Sequence, residues 1–253
     1  MSNLTDKLIS LLRYELCETK CDFDAGEPLS EEEIKKLCEI SNGHDVLHLA
    51  ADALIKNGIA APALEGKLKK SVLLANFRCE QIEHEFDRLC EKFEEQKIPF
   101  LPLKGAVIRP LYPEKWMRMS CDIDILIKPE DIERAGEHLV NDMNYTEGEK
   151  GPHDISYYAP GGVHLELHFD TVEGGRASLA KNVLDKVWDA SYSQDGSYHY
   201  YMTDEMYYFY HIAHMAKHLE EGGCGIRPFM DTFILENRVE HSDEKRDSLL
   251  EEG

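Results

Sequence analysis

The chain has 253 residues, 42% of them apolar, and its 49 acidic against 28 basic side chains leave a net charge of −21. That is enough apolar material for one large domain or two modest ones. The charge argues against general attraction to nucleic-acid phosphates or anionic membranes, so nonspecific nucleic-acid binding is disfavoured and a phosphate-bearing ligand needs a locally basic site. Seven cysteines, at 17, 21, 38, 79, 90, 121 and 224, are odd in number and form no repeated CxxC pair, a pattern of reduced thiols that points to the cytoplasm. Asp6, Lys7 and Arg13 break the N-terminal apolar stretch, which argues against a signal segment, and no run approaches the ~20 apolar residues of a membrane span.

Residues 1 to 95 read as helical. Leu4, Leu8, Leu11 and Leu12 recur at three- and four-residue steps, and Ser30 ahead of Glu31, Glu32 and Glu33 supplies a helix start. From about Lys67 to Glu95 the positions Leu73, Leu74, Phe77, Ile82, Phe86, Leu89 and Phe93 gather near one face, which predicts a packing stripe. The pattern changes at Lys97. IPFLPLKG is a short apolar run ended by Gly105, and after AVIRPLYPEKWMRMS the run CDIDILI alternates with period two, so both read as strands. Pro129 with Glu130 and Asp131 opens a helix to about Met143. ISYYAPGGVHLELHFD carries two β-rich arms around Pro160, Gly161 and Gly162, a hairpin signal. After Gly175 the pattern turns helical, the last clear helix runs from Asp204 to a glycine cap at Gly222 and Gly223, and HSDEKRDSLLEEG reads as an acidic tail. The expected organisation is an N-terminal helical region (1–96), an α/β core (97–176) and a C-terminal helical region (177–253).

Side chains alternate faces along a strand, so Asp122 and Asp124 point one way while Ile123, Ile125 and Ile127 point into the protein. In the second hairpin arm His164, Glu166 and His168 share a face, opposite Val163, Leu165, Leu167 and Phe169. Three carboxylates brought together repel unless cations compensate them, and an oxygen-rich set suits Mg²⁺ or Mn²⁺. His164 and His168, flanking Glu166, are positioned to ligate a softer metal, orient the carboxylate or touch substrate.

LKG at 103–105, the basic and aromatic stretch after it, RMSCDIDILI at 118–127 and HLELH at 164–168 together resemble the DNA polymerase β-type nucleotidyltransferase superfamily. Within it the chain is most similar to a branch of uncharacterised nucleotidyltransferases, over residues 97 to 235. The resemblance implies a mixed-sheet α+β fold, in which Gly105 is the turn glycine, Asp122 and Asp124 are the metal-binding pair and Glu166 is the third acid. It also implies ATP or another nucleoside triphosphate as substrate, with one metal on the Asp pair and a second ~3.5–4 Å away at the acceptor hydroxyl. Glu166 would complete the second metal site or act as general base. Ala106 stands where the superfamily has serine, and sixteen residues separate Gly105 from Asp122, a longer gap than usual. Lys104 or Arg118 would supply the positive contact to phosphate. His218, Arg227 and Asp231 match a histidine, an arginine and an aspartate of the branch, which makes Arg227 a candidate for triphosphate contact, with an ion pair to Asp231 as its structural alternative.

His211, His214 and His218 share a helix face, a spacing that can bind zinc, although no HExxH pattern accompanies it. Three functions are therefore in play. The favoured one is metal-dependent transfer of a nucleotidyl group to a protein, small-molecule or RNA acceptor. Its alternatives are a catalytically silent nucleotide- or partner-binding module that keeps the fold, and a zinc hydrolase built on the histidine helix. Members of the resembling branch continue through further helices, which raises the expectation that the chain is cut short at its C-terminus.

Overall fold

The computed structural model describes residues 4–17, 19, 29–171 and 180–253. Two compact units divide the chain. The first comprises 1–79, 112–119 and 225–227, and the second comprises 80–111, 120–224 and 228–253.

The first unit is helical. In it α1 (Leu4–Cys17), α2 (Glu31–Gly43) and α3 (Leu47–Lys56) bury Leu8, Leu11, Leu12, Ile34, Leu37, Leu49 and Leu54. Ser30 starts α2 as expected: its hydroxyl accepts from the Glu33 N–H, and the Glu33 carboxylate accepts from the Ser30 N–H, so two first-turn donors are satisfied. α4 (Pro62–Glu95) begins in this unit and enters the second at Glu80. Its expected stripe divides. Ile82, Leu89 and Phe93 are core residues, with Phe86 packed against them, but Leu73, Leu74 and Phe77 are 69%, 54% and 60% exposed. Periodicity identifies a helix face, not whether a neighbour covers it.

The second unit is built on a five-stranded mixed sheet of β1 (Phe100–Pro102), β2 (Asp122–Ile127), β3 (Thr146–Lys150), β4 (Asp154–Tyr158) and β5 (His164–His168), in the order β1-β2-β5-β4-β3. Its one parallel pair is β2 with β5. The isoleucines of β2 and Val163, Leu165 and Leu167 bury one sheet face against α4 and against Ala135 and Leu139 of α6 (Ile132–Asn141). The 3-10 turn Pro129–Asp131 leads into α6, as the proline and its two acids predict. On the other face Leu126 packs with Val183 and Leu184 of α7 (Lys181–Leu184) and with Met206, Phe209 and Tyr210 of α8 (Asp204–Glu221). The hairpin forms as expected, with Gly162 at φ +77° in its turn.

Edge strand β3 is not marked in the sequence: its five residues are all exposed and show no apolar–polar alternation. Two expectations need correction. The residues just after Gly175 lie outside the described set; beyond them α7 is a single turn, followed not by helix but by a two-stranded sheet of β6 (Ser191–Ser193) and β7 (Tyr200–Met202). Three-residue strands are too short to display a period. The acidic tail is helical: α9 (Arg227–Arg238) is followed by α10 (Asp243–Glu252), whose Arg246 is buried, forks onto both Asp204 oxygens at 2.8 and 2.7 Å and donates to Glu236 at 3.0 Å. α8 does end at Gly222, at φ +133°. Among the described residues no helix is long and apolar enough to cross a membrane.

Candidate active site

Parallel pairing of β2 and β5 aligns Asp122 with His164 and Asp124 with Glu166, on the sheet face opposite the isoleucines. The strand alternation read from the sequence thus becomes a cluster once these two strands are neighbours. Two sets of ligand atoms lie within 4.8 Å of one another: Asp122, His164 and Glu166, and Asp124, Glu166 and His168. Glu166 belongs to both.

Asp124 is almost fully buried and held by two cations. Lys104 Nζ donates to its Oδ1 at 2.9 Å and His168 Nε2 lies 3.1 Å from the same oxygen, while Glu166 Oε2 is 3.5 Å from that nitrogen. Burial by itself would raise the Asp124 carboxyl, but Lys104 and His168 outweigh it and hold Asp124 well below the usual carboxylate range. Burial would likewise depress His168, yet its bonds to Asp124 and Glu166 prevail and push it up to about 9. Asp122 goes the other way: burial first, then the charges of Asp124 and Glu166, raise it, with Lys104 and His164 offsetting part of the rise. One carboxylate of the pair is therefore compensated from within the protein and the other is not.

The turn beside the pair carries the expected Lys104 and Gly105 and is braced by residues that no motif marked. Leu103 N–H donates to Asp124 O at 2.9 Å, and the chain then enters α5 (Lys104–Ile108) with Lys104 at φ +42°, a left-handed conformation costly for a side-chain-bearing residue. Tyr207 of α8 fixes it by donating to Lys104 O at 2.9 Å. Arg109, 1% exposed, donates to Glu83 Oε1 and to Ser120 Oγ, both at 2.7 Å, and the Ser120 hydroxyl donates to Asp122 O at 3.0 Å. A Cβ on Gly105 would stand 3.3 Å from Ser120 Oγ and 3.4 Å from Arg109 Nη2, so the glycine eases the close packing of these two side chains against the turn. No motif marked Arg109, because an arginine after a short apolar run looks like any surface cation until its partners are known.

The remaining candidates have these partners. Arg118 and Arg227 both belong to the first unit and both donate to Met119 O, at 2.7 and 3.3 Å, and Arg227 lies 3.9 Å from Asp45. Asp231 is buried on α9. The α8 histidines do not converge: His211 Nε2 turns to Pro228 O and Thr232 Oγ1 at 3.1 and 3.0 Å, while His214 and His218 face each other. A catalytic zinc normally has three protein ligands, and this trio is not among the three-ligand clusters of the described residues.

No curated protein sequence matches the chain. A family model described as "Uncharacterised nucleotidyltransferase" matches residues 30–252, a span that includes both strands of the acidic cluster and the turn at Gly105. The mixed sheet carrying an Asp pair beside a third acid agrees with that match, and the chain belongs to this uncharacterised nucleotidyltransferase family.

Proposed function

We propose that the protein transfers a nucleotidyl group from a nucleoside triphosphate to a hydroxyl-bearing acceptor, the acceptor oxygen bonding to the α-phosphorus as pyrophosphate leaves, with Asp122, Asp124 and Glu166 holding Mg²⁺ or Mn²⁺. Family membership supports nucleotidyl transfer in general terms. The observation that carries the finer reading is the register of β2 and β5, which puts the three carboxylates in overlapping ligand sets. The donor chemistry fits a hard divalent cation: carboxylate oxygens dominate, and Asp122 is left without full compensation. When bound, such an ion supplies a Lewis acid that neutralises charge on the transferring phosphoryl group.

The chain's own groups have separable tasks in this reading. Lys104 Nζ, bonded to Asp124 beside the other carboxylates, is the cation this reading assigns to a phosphate oxygen. A Glu166 oxygen takes the proton of the acceptor hydroxyl, or else completes the metal site. His168 holds Asp124 through its Oδ1. The acceptor class stays open among protein, small molecule and RNA, and a cytoplasmic location accords with the thiol pattern of the sequence.

Titration with Mn²⁺ tests the assignment. Asp122→Asn with Asp124→Asn should abolish binding while the circular dichroism spectrum is kept, and a double variant that binds Mn²⁺ like the parent removes the metal from these residues. One observation favours a second reading, a silent module that keeps the fold: Asp124 already has Lys104 and His168 as internal counter-ions. A parent protein that binds neither Mn²⁺ nor ATP would support it.

A further inference from the structure

The imidazoles of His214 and His218, one helical turn apart on α8, face each other with their Nε2 atoms 3.0 Å apart and ring planes at 89°. Two nitrogens on one tetrahedral zinc stand about 3.3 Å apart, given Zn–N bonds of about 2.0–2.1 Å. We propose that His214 and His218 form a two-imidazole clip for a borderline divalent metal of the Zn²⁺ class, separate from the carboxylates of β2 and β5. The two Nε2 atoms share a hydrogen bond, and spacing i, i+4 places both rings over the same stretch of helix, so a metal ion replaces that proton by side-chain rotation alone. Nitrogen donors select Zn²⁺, Co²⁺ or Ni²⁺ over Mg²⁺, the reverse of the preference of the acidic cluster. The His218 side chain is 41% exposed, which leaves the remaining coordination positions to water or to a group brought by a ligand. Two protein ligands make a structural or recruiting site and not a hydrolytic centre. The clip lies in the last two turns of α8, whose C-terminus is capped by the Gly222 and Gly223 N–H groups donating to His218 O.

The test is calorimetric titration of the full chain with Zn²⁺ alone, in an Asp122→Asn, Asp124→Asn, Glu166→Gln background that silences the carboxylates. His214→Gln and His218→Gln, which keep helix propensity, should each weaken the tightest Zn²⁺ event by about tenfold or more. His241→Ala is the control: it removes another imidazole within reach of two carboxylates, Glu236 and Asp243, and should leave that event unchanged. Excess Mg²⁺ should not displace the ion, and the Co²⁺ visible spectrum of the folded protein should change on His218→Gln. Zn²⁺ affinity unaltered by both glutamine variants, loss of the event on His241→Ala instead, or displacement by Mg²⁺ would each overturn the proposal.

Discussion

Replacing Lys104 by alanine removes a cation 2.9 Å from a carboxylate whose side chain is only 4% exposed. Losing one member of a buried pair costs about 3–5 kcal/mol when the other charge is left uncompensated. Here His168 stays 3.1 Å from the same oxygen and Lys104 is itself 20% exposed, so a loss nearer about 2 kcal/mol is expected. Backbone strain works in the opposite direction. At φ +42° any side chain costs about 1–2 kcal/mol that glycine escapes, so Lys104→Gly should be more stable than Lys104→Ala by about 1 kcal/mol. Urea unfolding followed by circular dichroism measures both variants, with an unchanged slope as the check that only stability moved. Since Lys104 and a divalent ion compete for Asp124, the alanine variant should also bind Mn²⁺ at least as tightly as the parent although it is less stable. An alanine variant as stable as the parent, or a glycine variant weaker than the alanine one, refutes this account of the turn.

Glu166→Gln keeps size and removes charge, so nucleotide binding should persist while transfer of labelled nucleotide falls by about 10²-fold; transfer at the parent rate takes Glu166 out of the mechanism. Arg109→Ala strands the Glu83 carboxylate and the Ser120 hydroxyl and should cost about 3 kcal/mol in urea unfolding, with Arg109→Lys intermediate because the charge stays but the fork is lost. His48 is buried, its Nε2 lies 3.1 Å from Met117 O, and burial lowers its pKa below 6.5. The unfolded chain then takes up a proton near pH 6.5 that the folded chain refuses, so this contribution is intact above that pH and lost as pH falls through the window down to the folded value. Compared with His48→Gln, the parent should lose up to about 1.4 kcal/mol more per pH unit in that window, and parallel stability profiles of the two proteins from about pH 7.5 to 5.5 would contradict it.

Local rules carried far in this chain. Period-two alternation in CDIDILI and HLELH defined two strands and assigned Asp122, Asp124 and Glu166 to faces, since the side-chain period of a strand is a property of the backbone alone. Ser30 and Gly222 marked helix ends because caps are satisfied within a few residues. The same rules failed wherever a distant partner decides the outcome. Leu73, Leu74 and Phe77 continue the stripe of α4 and yet are exposed. Arg246 turns an acidic tail into a docked helix by reaching Asp204, 42 positions away.

The sequence by itself therefore determined which acids share a strand face and that a glycine turn precedes them in the chain. Only the tertiary structure decided that β2 and β5 are parallel neighbours in the register Asp124 to Glu166, that Lys104 and His168 converge on one oxygen of Asp124, and that Arg109 ties the turn to the strand. Strand pairing, buried ion pairs and the electrostatics that separate Asp122 from Asp124 depend on distances between residues 20 to 44 positions apart, and no local periodicity encodes those distances.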